Sequence, residues 1–212
     1  MKKIETIFDR GDDFKVIPKV RAGCEWVFRG EGIPTEKLDG TNVRLTVAAY
    51  KVVHIEKRRN PTKEEKAQGI EPGYVDASRN DPSDKHIFRA ADNTDVSEWT
   101  NGLYECEAVG PKIQGNPLEL PTPRCYAFKF DPVILADMPR NFDAIKEYIR
   151  VLESRYSPGH LAEGIVFHHP DGRMAKIKRK DFPKHTELNS EDAEKLWESG
   201  EGMMKNPIKP PD

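Results

Sequence analysis

The chain is expected to fold as an α+β domain built on a mainly antiparallel sheet. Two patterns and a length carry that expectation. Segments of strand-like alternation outnumber helical ones and are not evenly interleaved with them, and 212 residues suit one large domain or a domain with a small appendage. Hydrophobic residues at 36% and a mean hydropathy of −0.74 indicate a thin core, yet three Trp, nine Phe and six Tyr argue against disorder. Lys plus Arg (34) nearly balance Asp plus Glu (36), so the net charge of −2 names no nucleic-acid partner by itself.

Residues 42–48 alternate, with Val43, Leu45 and Val47 on one face and Asn42, Arg44 and Thr46 on the other, as in a half-buried strand. Residues 50–56 read as its hairpin partner, and the polar, Pro- and Gly-punctuated stretch 57–85 as a long loop. Further strands are expected at 103–109, 125–130, 164–168 and 174–180. One helix fits before the last two of these: Asn141 is its N-cap, Asp143 sits in its first turn, and Phe142, Ile145, Ile149 and Leu152 recur at helical spacing. Ser157-Pro158-Gly159 stops it. A second short helix fits 190–199, followed by a tail from Lys205.

The start MKKIETIF has no apolar signal core, and no run approaches the ~18 apolar residues of a membrane span. Cys24, Cys106 and Cys125 are odd in number and lack C-x-x-C spacing, which suits a reducing compartment. A cytoplasmic protein without a membrane partner is the expectation. His168 and His169 are neighbours on a strand and face opposite ways, so they cannot readily share a metal ion.

The chemistry is concentrated in a few stretches. Lys37 precedes a tight Asp39-Gly40 turn that opens a strand. In 174–180, alternation puts Met174, Lys176, Lys178 and Lys180 on one face and Ala175, Ile177 and Arg179 on the other. Lysines so placed repel one another unless an anion or carboxylate sits between them. Glu163 and Gly164 lead into the preceding apolar strand, and Glu105 and Glu107 share a face of 103–109. A lysine becomes a nucleophile when nearby cations and desolvation lower its pKa, and the same cations stabilise a phosphoryl group. Lys57, Arg58 and Arg59, with Lys63 and Lys66, and the run Arg173 to Lys180 give local positive surface that can follow a nucleic-acid backbone.

The order Glu36-Lys-Leu-Asp-Gly, Glu107-Ala-Val-Gly-Pro-Lys-Ile-Gln, Tyr126-Ala-Phe128, Glu163-Gly-Ile-Val and Lys176-Ile-Lys178 resembles the motif series of the covalent nucleotidyltransferases, which include RNA ligases, DNA ligases and messenger-RNA capping enzymes. Lys-x-x-Gly-Thr-Asn at 37–42 and Gly-Pro-x-Ile-Gln at 110–114 are most similar to the RNA ligase 2 branch and to the small RNA ligases related to vertebrate RNA ligase 1. The resemblance implies a nucleotidyltransferase domain over residues 1–190, with 191–212 a short helix and tail. It implies Lys37 as the nucleophile that takes AMP from ATP, and Glu36, Asn42, Arg58, Glu107, Phe128, Glu163, Lys176 and Lys178 as ATP-binding residues. Within that set, Arg58 falls on ribose or phosphate, with Arg59 nearly as good a candidate. Glu107 falls on the ribose hydroxyls, Phe128 on adenine, and Lys176 and Lys178 on the α-phosphate. Tyr126 and Phe130 are expected to share the strand face of Phe128. Glu163 organises the metal, Mg2+ with Mn2+ as an alternative.

Asp39 stands where the RNA ligase 2 type carries His, and Lys129 where Asp is more usual. Only 34 residues follow Lys178, too few for the OB-fold domain of DNA ligases and capping enzymes. The implied activity is ATP-dependent joining of RNA 5′-phosphate and 3′-hydroxyl ends, in RNA repair, splicing or defence. A minimal DNA-nick ligase, another adenylyltransferase and a non-catalytic RNA-end-binding module remain open, and the sequence names no protein partner.

Overall fold

The structure is a computed structural model that describes residues 4–130 and 132–183. The helix expected at 190–199 and the tail beyond it lie outside those residues. In chain order the strands and helices are β1 (Glu5–Thr6), β2 (Phe8–Arg10), β3 (Val16–Val20), α1 (Glu25–Phe28), β4 (Ile33–Lys37), β5 (Thr41–Ala48), β6 (Lys51–Arg59) and α2 (Lys63–Ala67). Then follow β7 (Gly73–Asp76), α3 (Lys85–Asp92), β8 (Gly102–Val109), β9 (Arg124–Ala127), α4 (Phe142–Arg150), β10 (Gly164–His168) and β11 (Met174–Lys178).

Two sheets dominate, one ordered β1-β11-β10-β4 and the other β7-β6-β5-β8-β9; β2 and β3 form a separate ribbon. All neighbours pair antiparallel except β1 with β11. Each sheet has one apolar face, set by its period-two pattern. In the four-stranded sheet Ile165, Phe167, Ala175 and Ile177 are fully buried and join Ile145 and Ile149 of α4 in one core. In the five-stranded sheet Val43, Leu45, Cys106, Ala108 and Ala127 pack with Ile87, Ala90 and Ala91 of α3 in a second core. Burying a single Ile or Leu side chain contributes about 1.5–3 kcal/mol, so these clusters fix which face of each sheet stays polar.

The α4 prediction agrees closely with the structure: the Asn141 side chain accepts from the Ala144 amide at 2.9 Å, although the helix ends at Arg150, ahead of Leu152. The hairpins β5–β6 and β10–β11 also fall where alternation placed them. The stretch 57–85 differs from the expected loop. β6 runs on to Arg59, α2 starts from a capping box in which Thr62 and Glu65 satisfy each other's backbone amides, and β7 adds an edge strand. β9 stops at Ala127, so Phe128, Lys129 and Phe130 occupy a turn, closed by the Phe130 amide donating to Ala127 O. β11 stops at Lys178, where the Asp181 carboxylate accepts from the Lys178 amide at 2.9 Å and begins a 3-10 turn. All three cysteines are free and buried. No helix among the described residues is long and apolar enough to cross a membrane.

Candidate active site

The polar faces of the two sheets line one cavity of about 570 Å3. Its four-stranded side is a grid fixed by strand register. Lys37, Gly164 and Lys178 form one row, Thr35, Val166 and Lys176 the next, and Ile33, His168 and Met174 the third. Asn42, Glu105 and Glu107 from β5 and β8 face it, with Arg58 from β6 and Tyr126 and Phe128 from and just beyond β9. Lys37 therefore ends β4 rather than merely preceding β5.

Two close backbone approaches hold this geometry. A Cβ at Gly164 would lie 2.3 Å from Ile177 O and 2.8 Å from Lys178 Cα, and one at Gly40 would lie 2.2 Å from Ala108 O. Only glycine permits either approach, which gives the Asp39-Gly40 turn and the Glu163-Gly164 step a steric reason.

At the Lys37 end, Glu163 accepts from both Lys37 Nζ, at 2.6 Å, and Lys178 Nζ. A carboxylate thus sits between the two lysines, which relieves the repulsion that alternation alone implies. Lys37 Nζ also donates to Leu38 O at 3.0 Å. Burial and the neighbouring Glu163 push the Asp39 carboxyl above its ordinary range, against Lys37, Lys178 and Lys180. A smaller cavity of about 200 Å3 continues from this point; it shares Lys37, Asp39 and Lys180 with the larger one and is lined in addition by Glu163. Asp39 and Glu163 supply the oxygen donors that a hard divalent cation takes, so this is where the residues fit Mg2+ or Mn2+.

On the opposite sheet, Asn42 and Glu107 are directly paired across β5 and β8. Burial pushes Glu107 up to about 7, opposed by the charge of Lys37 and by hydrogen bonds from Asn42 and the Gly40 amide. The Tyr74 hydroxyl donates to Asn42 Oδ1, and the Arg44 guanidinium stacks 4.0 Å from the Tyr74 ring centroid. Arg58 lines the cavity with a buried Nε that has no partner among the described residues. Arg59 points away, where Glu65 takes its guanidinium at 2.5 and 2.6 Å.

Glu36 differs from the others. Its carboxylate accepts from Ser154 Oγ at 2.5 Å and from the Arg155 amide at 2.9 Å, so it is tied to the segment after α4 while the residue lines the cavity. Phe130 leaves the face of Phe128 and packs against Trp99 and Tyr104, at 5.4 Å between ring centroids in each case. The basic stretch is largely neutralised: Lys57 pairs with Asp84 and Asp81, Arg59 with Glu65, and Arg173 with Asp171. Thr35 and Tyr74 carry no signal in the sequence because β4 and β7 are short, and Pro34 disguises β4. His168 lines the cavity and bonds Thr35, a role that weighing it only as a metal ligand does not reach.

The sequence matches no protein-family profile, and no curated protein matches it. Among solved structures the chain is similar to RNA ligases of Naegleria gruberi. One mutant with ATP and Mn gives a TM-score of 0.43 at 14% identity over 84% of this chain and 61% of that one. Another with ATP and Mn gives 0.43 at 15% identity over 89% and 64%, and the ligase with PPi gives 0.41 at 15% over 84% and 59%. The chain thus spans about three fifths of the length of the ligases it is similar to.

Proposed function

We propose that the chain is an ATP-dependent RNA ligase that works through a lysyl-AMP intermediate. The observation that carries this reading is the placing of Lys37 and Lys178 on either side of Glu163, at the cationic end of a nucleotide-sized cavity. In the first step Lys37 Nζ attacks the α-phosphorus of ATP, the bond to the β-phosphate oxygen breaks, and pyrophosphate leaves. In the second, an oxygen of the RNA 5′-phosphate displaces Lys37 from the AMP phosphorus. In the third, an RNA 3′-hydroxyl attacks the 5′-phosphorus, AMP departs, and the strand is sealed.

Before the first step Lys37 must lose a proton. Its Nζ is held by the Glu163 carboxylate, whose other oxygen holds Lys178. A divalent cation on Glu163 and Asp39 supplies competition for that carboxylate and positive charge for the phosphates. Lys176 and Lys178 face the α-phosphate, Arg58 the ribose or phosphate, Glu107 and Asn42 the ribose, and Phe128 stacks on the base. Exposure of Phe128 at 42% supports that role, because an aromatic ring left open beside a cavity offers a free π-face.

Incubation with α-labelled ATP and Mg2+ is expected to leave label on the chain in a denaturing gel, and none on Lys37→Ala. An unlabelled chain, or an equally labelled Lys37→Ala, overturns the reading. Competition among nicked RNA duplex, nicked DNA duplex and single-stranded RNA tests the substrate, and equal sealing of DNA removes the RNA assignment.

A further inference from the structure

The end of the cavity far from Lys37 holds two polar groups that the proposed chemistry does not use. Along β4, Thr35 lies two residues and Ile33 four residues from Lys37, or about 7 and 13 Å at the rise of a strand. With the α-phosphorus at Lys37 Nζ, the far edge of a purine falls within that interval. The walls there are suited to a base: Val166, Met174 and Pro132 line the cavity together with Phe128.

At that position Thr35 Oγ1 lies 3.0 Å from His168 Nε2 and 3.4 Å from Val166 O. A hydroxyl has one proton to give. The arrangement that satisfies both contacts has the Nε2–H donating to Oγ1 and the hydroxyl donating to Val166 O. The His168 Nδ1 is then an unprotonated acceptor, and it has no protein partner among the described residues. Burial lowers the His168 pKa, which keeps the ring neutral and the lone pair on Nδ1.

We propose that Thr35 and His168 read the edge of the bound base, with the Thr35 hydroxyl fixing the imidazole tautomer and Nδ1 accepting from the 6-amino group of adenine. A 6-oxo purine presents an acceptor to the same lone pair and is rejected, because a buried acceptor facing an acceptor leaves both unsatisfied. The inference rests on the cavity being a nucleotide site.

The test is equilibrium binding by calorimetry to the Lys37→Met chain with Mg2+, which removes covalent turnover. ATP is compared with GTP and with purine riboside triphosphate, which lacks the 6-amino group. ATP is expected to bind about fivefold to tenfold more tightly than purine riboside triphosphate, the worth of one neutral hydrogen bond. That ratio should fall close to one in His168→Ala and in Thr35→Val, with purine riboside triphosphate bound as before. Thr35→Val keeps the side-chain volume and decides the matter if His168→Ala does not fold. A ratio unchanged in the variants, an equal loss for all three nucleotides, or no binding of ATP overturns the proposal. Discrimination of ATP together with an unlabelled native chain overturns the ligase reading and leaves this one standing.

Discussion

Lys37 Nζ lies 2.6 Å from Glu163 Oε2 across 126 positions of sequence, and the other Glu163 oxygen holds Lys178. The pair couples the end of β4 to the entrance of β10, and its side chains are only 18% and 7% exposed. Glu163→Gln leaves two partly buried ammonium groups without their carboxylate. It is expected to lower stability by about 1–3 kcal/mol and adduct formation by at least about 100-fold. In a double-mutant cycle by urea denaturation, Lys37→Met should recover part of the Glu163→Gln loss, with a coupling of about 0.5–3 kcal/mol. Additive losses contradict the coupling.

Arg58 and Arg59 separate cleanly in space. Arg58 lines the cavity, whereas Arg59 grips Glu65 on the exposed side of β6. Arg58→Ala should reduce adduct formation by about 10-fold or more, through one lost charge-assisted contact to the nucleotide. Arg59→Ala should leave it unchanged and cost less than about 1 kcal/mol of stability, as for an exposed ion pair. Labelling of both variants at limiting ATP distinguishes them.

Glu107 gives the folded chain a pH signature. Its pKa rises from an ordinary carboxylate value to about 7 on folding, so between those values the folded state binds more protons than the unfolded one. Its contribution is fully present below the unfolded pKa and is lost as pH rises through about 7. Glu107→Gln removes that loss. The variant should therefore gain stability relative to the parent between about pH 4.5 and pH 7.5, measured as urea midpoints at both pH values. A constant difference argues against the shift.

Gly164 is a steric requirement at the centre of the site. A methyl group there meets the Ile177 carbonyl oxygen on β11, which is backbone and cannot swing aside. Gly164→Ala should destabilise the chain by about 1–3 kcal/mol and, by shifting β11 from β10, move Lys178 from Glu163. Adduct formation should fall even at temperatures where the variant remains folded by circular dichroism.

Much of this arrangement is legible in the sequence where period and burial agree. β5, β8 and β11 each show one apolar and one polar face, and those polar faces bring Asn42, Glu107, Lys176 and Lys178 to one cavity. The N-terminal strands are not legible. β1 and β2 have two and three residues, and β4 is buried at Pro34, Thr35 and Glu36 in succession, which erases alternation. The sequence also gives no sign that Glu36 is held by Ser154 and Arg155, contacts made across 118 and 119 positions. α3 had a legible pattern in Ile87, Ala90 and Ala91, at helical spacing.

Phe128 and Phe130 look equivalent in the sequence, two residues apart on an expected strand, and the turn after β9 gives them different surroundings. Phe128 lines the cavity, whereas Phe130 closes an aromatic cluster with Trp99 and Tyr104, themselves 4.7 Å apart between centroids. Phe130→Ala is expected to cost about 0.5–1.5 kcal/mol of stability, as for loss of an aromatic pair, while nucleotide labelling stays intact. Phe128→Ala should do the reverse. Losing a stacking platform weakens base binding by about 1–3 kcal/mol, or roughly 5-fold to 150-fold in ATP concentration for half-labelling, with little change in the urea midpoint. The two variants measured side by side, for midpoint and for labelling, should show a double dissociation. If both lose labelling equally, the turn places Phe130 at the nucleotide as well, and the division of labour drawn from the ring contacts is wrong.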